Sequence, residues 1–155
     1  MASWAEVVSA EPELASVVQQ MFAVGRHKTI ATLRADGSPR ISGIECEFVD
    51  GHLRFGSMAG ARKVADLRRD PRLALHGPTV DPVGEGPDSW AGEAKIAGRA
   101  VHVGVLLADD GDAPPGELFI VDVAELVVTR LDSTGTRLVI EWWTPSGGRR
   151  LVERD

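Results

Sequence analysis

The stretch Lys28-Thr29-Ile30-Ala31-Thr32-Leu33, followed by Ala35-Asp36-Gly37-Ser38-Pro39 and then by Arg40-Ile41-Ser42, decides the fold class. Its first six residues are short, partly β-branched and strand-like. Asp36-Gly37 tolerates the positive φ angles of a tight hairpin, and Pro39 has no N–H to give to a ladder, so the chain must turn back here. The return strand reads from Arg40 to Val49. A second Asp-Gly pair, Asp50-Gly51, then leads into a strand over His52 to Gly56. Three antiparallel strands in a meander follow from turn chemistry alone.

Upstream, Leu14, Val17, Val18, Met21 and Phe22 follow i, i+3, i+4, i+7, i+8 spacing and so share one stripe of a helix from about Pro12 to Val24. Pro12 suits its first turn and Gly25 its end. Downstream, Ala61, Val64, Ala65 and Leu67 alternate with Arg62, Lys63, Asp66, Arg68 and Arg69, the pattern of a short amphipathic helix that must stop before Pro71. Arg72 to His76 reads as a strand. Gly77 to Gly92 is too rich in proline and glycine for a regular element and is expected to be a long loop. Further strands are expected over Glu93–Val103, Leu118–Arg130 and Thr136–Trp143, with a short last one over Arg150–Glu153. They are separated by a loop over Asp109–Gly116 and by turns at Ser133-Thr134-Gly135 and Pro145–Gly148. This succession predicts a mainly β, α+β chain: a helical N-terminus over about 1–25, then an antiparallel barrel over about 28–155 that removes exposed sheet edges.

The chain has 155 residues, 43% of them hydrophobic and 26% charged, which suits one globular domain over 1–155. A net charge of −6 argues against general affinity for nucleic acid or an anionic membrane, both of which need positive surface. Cys46 has no second cysteine to pair with, no apolar run approaches a bilayer span, and no signal peptide opens the chain. The expectation is a cytoplasmic protein with no membrane or nucleic-acid partner.

Two segments stand out for chemistry. Ser38-Pro39-Arg40-Ile41-Ser42 opens a strand, and Gly56-Ser57-Met58-Ala59-Gly60-Ala61-Arg62-Lys63 leads from a strand into a helix. In the second, small residues let backbone N–H groups approach an anion, and Arg62 and Lys63 add full charges. A phosphate suits this place; so, on local pattern alone, does the solvated face of an amphipathic helix. Cys46 lies between Glu45 and Glu47, acids that raise a thiol pKa, so it is not read as catalytic. His27, His52, His76 and His102 show no metal-ligand spacing, and no metal site is expected. Trp142 and Trp143 are adjacent on a strand and must face opposite ways, one inward and one towards a partner or ligand. Asp81, Glu85, Asp88, Asp109, Asp110 and Asp112 read as solvated loop charges.

Taken in order, the segment from Thr32 to Arg40, the strand ending Leu53-Arg54-Phe55-Gly56-Ser57, and the run from Ala61-Arg62-Lys63 to Leu73-Ala74-Leu75 resemble the pyridoxamine-phosphate-oxidase-like split-barrel family. Glu93-Ala94-Lys95-Ile96-Ala97-Gly98-Arg99-Ala100 resembles that family's next barrel strand. The resemblance implies a six-stranded antiparallel Greek-key split β-barrel with short flanking helices. It also implies a homodimer with two cofactor sites between subunits. It implies that Arg40, Arg62 and Lys63 grip the phosphate of FMN, while backbone near Ile41, Ser42, Phe55, Gly56 and Ser57 lines the isoalloxazine and ribityl chain. Trp90, a large aromatic in the long loop, is then a candidate lid. The implied activity is hydride transfer between the flavin and an unidentified small molecule. An Arg- and Ala-rich composition keeps open a deazaflavin (F-420) reductase, and a non-enzymatic flavin- or haem-binding module is the other alternative. Two departures matter. Ala61 replaces a hydroxyl residue common before the Arg-Lys pair, and Glu45 stands where the oxidases proper carry a lysine, which argues against true pyridoxamine 5'-phosphate oxidase activity.

Overall fold

The structure, a computed structural model, describes residues 1–107 and 115–155. Two helices open the chain, α1 (Trp4–Ala10) and α2 (Pro12–Ala23). The strands are β1 (Lys28–Leu33), β2 (Pro39–Ile44), β3 (Cys46–Val49) and β4 (His52–Ser57), then, after helix α3 (Arg62–Arg69), β5 (Arg72–His76), β6 (Glu93–Leu106), β7 (Gly116–Leu131), β8 (Leu138–Thr144) and β9 (Gly148–Arg154). The expected loop over Asp109–Gly116, with its acids Asp109, Asp110 and Asp112, falls almost wholly outside the described residues.

All nine strands join one antiparallel sheet, ordered β2-β1-β5-β6-β7-β4-β3, with the β8–β9 hairpin added to β7. The two ends of that path, β2 and β3, are separated in the chain by Glu45 alone. A sheet whose first and last strands are one residue apart must curl until its ends meet, so the barrel closes through covalent continuity rather than through a ladder. The return strand expected over Arg40–Val49 is thus broken at Glu45: its first half pairs with β1 and its second with β4. Counted as one crossing strand, β2 and β3 join β1, β4, β5, β6 and β7 in a six-stranded split barrel. The seam lies where β2 and β4 approach without sharing hydrogen bonds.

β7 supports three partners along its outer edge. Residues 117–120 pair with β4, Val123 bridges to Ala2, and residues 126–131 pair with β8, so the N-terminal segment fills a gap between two strands. Helix α1, not told apart from α2 in the reading above, starts with a capping box: Glu6 N–H donates to the Ser3 hydroxyl, while Ser3 N–H donates to the Glu6 carboxylate. The Ser3-x-x-Glu6 spacing was the available signal. Helix α2 buries Leu14, Ala15, Val18 and Phe22, with Val17 and Met21 packed at the margin.

The barrel interior is filled by Ile30, Leu53, Phe55, Leu75, Ile96, Phe119, Val121 and Leu126, with Phe55 stacked on Phe119 at 5.3 Å. Burying a side chain of this size contributes roughly 1.5–3 kcal/mol. Gly98 on β6, opposite a bulge in β7 where Ala124 has no partner, admits no side chain, since a Cβ there would lie 2.2 Å from the Asp122 carbonyl oxygen. No helix among the described residues is long and apolar enough to cross a membrane.

Candidate functional site

The β1–β2 hairpin, the start of β2 and helix α3 enclose an open groove of about 470 Å³ whose walls carry Arg34, Arg40, Arg62 and Arg69. The topology assembles it. β4 and β5 lie on different sides of the barrel, and α3 carries the chain across the mouth between them, packing against β1. Arg62, Ala65 and Arg69 recur at i, i+3 and i+7 and so share the helix face that looks into the groove. Val64 and Leu67 turn to the core.

Asp66 organises the floor. Its side chain is only 4% exposed and accepts three hydrogen bonds: from Arg40 Nε (2.6 Å), from Thr32 Oγ1 (2.8 Å) and from Arg69 Nη2 (3.1 Å). The Arg40 hydrogen bond, helped by Thr32 and Arg69, outweighs burial and holds the Asp66 carboxyl down at about 2. Arg69 also donates to the Leu33 carbonyl, and Arg34 to the Pro39 carbonyl, which ties the hairpin to the helix. Arg40 commits its Nε to Asp66, yet its two terminal nitrogens have no partner among the described residues. Arg62 likewise makes no hydrogen bond or ion pair with any described residue. Two of the four guanidinium groups, those of Arg40 and Arg69, are held by one buried acid, and the spare N–H groups of Arg40 and Arg62 beside them are chemically suited to an anion with several acceptor oxygens.

The structure brings Arg40 and Arg62 into one groove. Lys63 is half-buried on another side of α3 and does not line it, although it too has no partner among the described residues. Arg34, Thr32, Asp66 and Arg69 belong to the site and were not singled out for it beforehand. An apolar-polar pattern cannot tell a groove-facing arginine from a solvated one. Ser42 shares the inward face of β2 with Arg40, whereas Ile41 points the other way and is 75% exposed. Phe55 places its ring in the core, so only its backbone remains for a ligand. Gly56 lies under Leu106, whose Cδ1 would sit 2.3 Å from a Cβ. Ser57 is buried, and its hydroxyl has no partner among the described residues.

Trp90 stands elsewhere. The loop that carries it joins the end of β5 to the start of β6, while the groove adjoins the start of β5, so Trp90 is at the other end of the barrel and is not a lid on this groove within its own chain. Glu45 is also clear of it: at the β2–β3 break it pairs with Arg26 at 3.1 Å, so it is spent on the junction after α2 rather than opposed to a bound anion. Cys46 is inert for a different first reason than the flanking acids: burial pushes its thiol up to about 11, with Glu47 adding to the effect. Trp143 is the inward-facing member of its pair. Among the described residues no three His, Cys, Asp or Glu side chains gather as a metal site.

The family description for pyridoxamine 5'-phosphate oxidase matches residues 12–110, which span the hairpin, the groove and helix α3. The chain belongs to the pyridoxamine 5'-phosphate oxidase family. Solved structures agree on the fold. PhzG from Burkholderia lata 383, solved with tetrahydrophenazine-1-carboxylic acid, is 12% identical with a TM-score of 0.63, covering 97% of this chain and 92% of its own. A pyridoxamine 5'-phosphate oxidase-related, FMN-binding protein from Nostoc punctiforme PCC 73102 is 10% identical with a TM-score of 0.61, covering 94% and 96%. The haem storage protein HutZ from Vibrio cholerae is 14% identical with a TM-score of 0.55, covering 77% and 94%. No curated protein sequence matches this chain. Solved structures of this fold thus include one described as FMN-binding and one described as a haem storage protein.

Proposed function

We propose that this chain binds FMN and exchanges a hydride between the flavin and a small molecule other than pyridoxamine phosphate. The observation that carries the reading is the groove with the uncommitted guanidinium nitrogens of Arg40 and Arg62, a donor set matched to a phosphate monoester.

The residues present fit the cofactor. Arg40 and Arg62 would hold the phosphate, with Lys63 adding charge at the helix start. The buried, unpartnered Ser57 hydroxyl at the end of β4 offers a further polar contact, and β2 and β4 flank the seam. Bound there, a flavin supplies two-electron chemistry. The protein's part is to fix the anion: Asp66 orients Arg40 and Arg69, and the hydrogen bonds of Arg34 and Arg69 to carbonyl oxygens keep hairpin and helix in register.

A homodimer belongs to the same reading. Ile41 and Met58, 75% and 82% exposed, lie beside the candidate site, and Val103 and Val105 on β6, with Leu107 just past its end, add apolar surface. A second copy covering them would bring further residues to the cofactor.

The test is titration of the purified protein with FMN, followed by quenching of its four tryptophans. Wild type should quench saturably. Arg62→Ala should weaken binding by ~1.5–3 kcal/mol, the worth of charge-assisted hydrogen bonds, or about 10- to 150-fold. No quenching by FMN, with saturable quenching by a deazaflavin or by haem, would replace the reading.

A further inference from the structure

On the other flank of α3 a second groove of about 460 Å³ runs from Gly60 and Ala61 past Arg68 to Glu117, sharing Ala65 and Arg69 with the first. Glu117 of that wall is half of a histidine-carboxylate pair whose histidine stands just outside the lining. His102 on β6 donates from Nε2 to Glu117 Oε2 on β7 at 2.5 Å, and Arg68 from α3 donates to the other carboxylate oxygen. The His102 ring rests edge-on against Phe119, itself stacked on Phe55, and Glu117 is register-paired with Ser57 at the end of β4. Glu117 thus stands one strand away from the segment Phe55-Gly56-Ser57, and His102 two.

The other histidines do not share this arrangement. His76 uses both ring nitrogens, Nδ1 against the Gly77 carbonyl and Nε2 against Glu93, and is locked by structure. His27 lies 3.9 Å from Glu45 on the surface. His102 alone, among the described residues, has one nitrogen clamped by a carboxylate and the other without a partner. A carboxylate held by arginine fixes the orientation of the ring; the nitrogen it leaves free is then the one that exchanges a proton.

We infer that His102 is the proton-exchanging group of the reaction, through Nδ1, with Glu117 as its positioning residue and Arg68 holding Glu117. This deepens the flavin reading and rests on it. A flavin bound here would supply hydride to a two-electron acceptor such as a quinone, which would then carry an anionic second oxygen. The Nδ1–H bond of the imidazolium breaks, its electron pair stays on nitrogen, an O–H bond forms, and water reprotonates the ring. His102 undergoes no net oxidation or reduction.

Two measurements test this. In the protein without added cofactor, imidazole 15N shifts should show neutral His102 protonated at Nε2 and bare at Nδ1, and Glu117→Gln should convert it to a mixture of tautomers. With FMN bound and reduced, reoxidation by menadione should slow by roughly 10²–10⁴-fold in His102→Gly while FMN affinity stays within about twofold, and free imidazole should restore the rate. A ring protonated at Nδ1, or a His102→Gly protein as fast as wild type, overturns the inference. If FMN fails to bind while the Nε2–H tautomer and its dependence on Glu117 are found, the flavin reading fails and the clamped base stands.

Discussion

Replacing Asp66 by alanine removes the acid around which the groove is built, and the cost can be worked from its partners. The Thr32 hydroxyl loses one neutral hydrogen bond, worth ~1 kcal/mol, and Arg40 and Arg69 each lose a charge-assisted one, worth ~1.5–3 kcal/mol. Stripping one partner from a fully buried pair costs ~3–5 kcal/mol. Arg40 retains 19% of its side-chain exposure and Arg69 43%, so water from the groove solvates both once the acid is gone. The expected loss is therefore about 2–3 kcal/mol, read in urea as a lower midpoint with an unchanged slope. A double-mutant cycle with Arg40→Met should return a coupling of ~1 kcal/mol or more. A loss under ~0.5 kcal/mol, or a coupling indistinguishable from zero, would refute the argument that Asp66 organises this wall.

The same residue sets a pH dependence. Its folded pKa, about 2, lies below the ordinary aspartate value, so the stability it contributes is complete above pH ~4 and is lost as pH falls towards about 2. Groove water trims that contribution to ~1–2 kcal/mol, and Asp66→Asn should flatten this part of an acid-unfolding curve. Gly98→Ala should destabilise by more than Gly56→Ala, ~2–4 against ~1–2 kcal/mol, because the first new Cβ meets a backbone carbonyl and the second meets the end of Leu106; thermal unfolding of the two variants ranks them. On the proposed homodimer, Ile41→Glu should yield a monomer in sedimentation equilibrium with unfolding unchanged to within ~0.5 kcal/mol; an undisturbed dimer would place the interface elsewhere, and a monomeric wild type would refute the dimer.

Much of the fold was legible because it is written in local chemistry. The Asp36-Gly37 and Asp50-Gly51 turns, the apolar stripe of α2 and the stop at Pro71 each depend on neighbours along the chain, and those elements appear where they were expected. Arg40 and Arg62 were singled out because order and spacing carried a family pattern, and the structure brings both to one groove. The break at Glu45 was not, since a strand that changes partners midway still alternates like one strand. The helical N-terminus over about 1–25 was expected, but α1 was not told apart from α2 although Ser3 and Glu6 announce its start.

Sequence by itself determined the antiparallel meander, the amphipathic α3 and the supply of arginines, for these follow from φ preference and periodicity. Only the tertiary structure decided which arginines converge and which acid holds them. It also separated Trp90 from the groove and set His102 against Glu117. Such pairings span 15 to 34 residues and depend on strand order, which hydrogen bonding between distant segments fixes and no local propensity encodes.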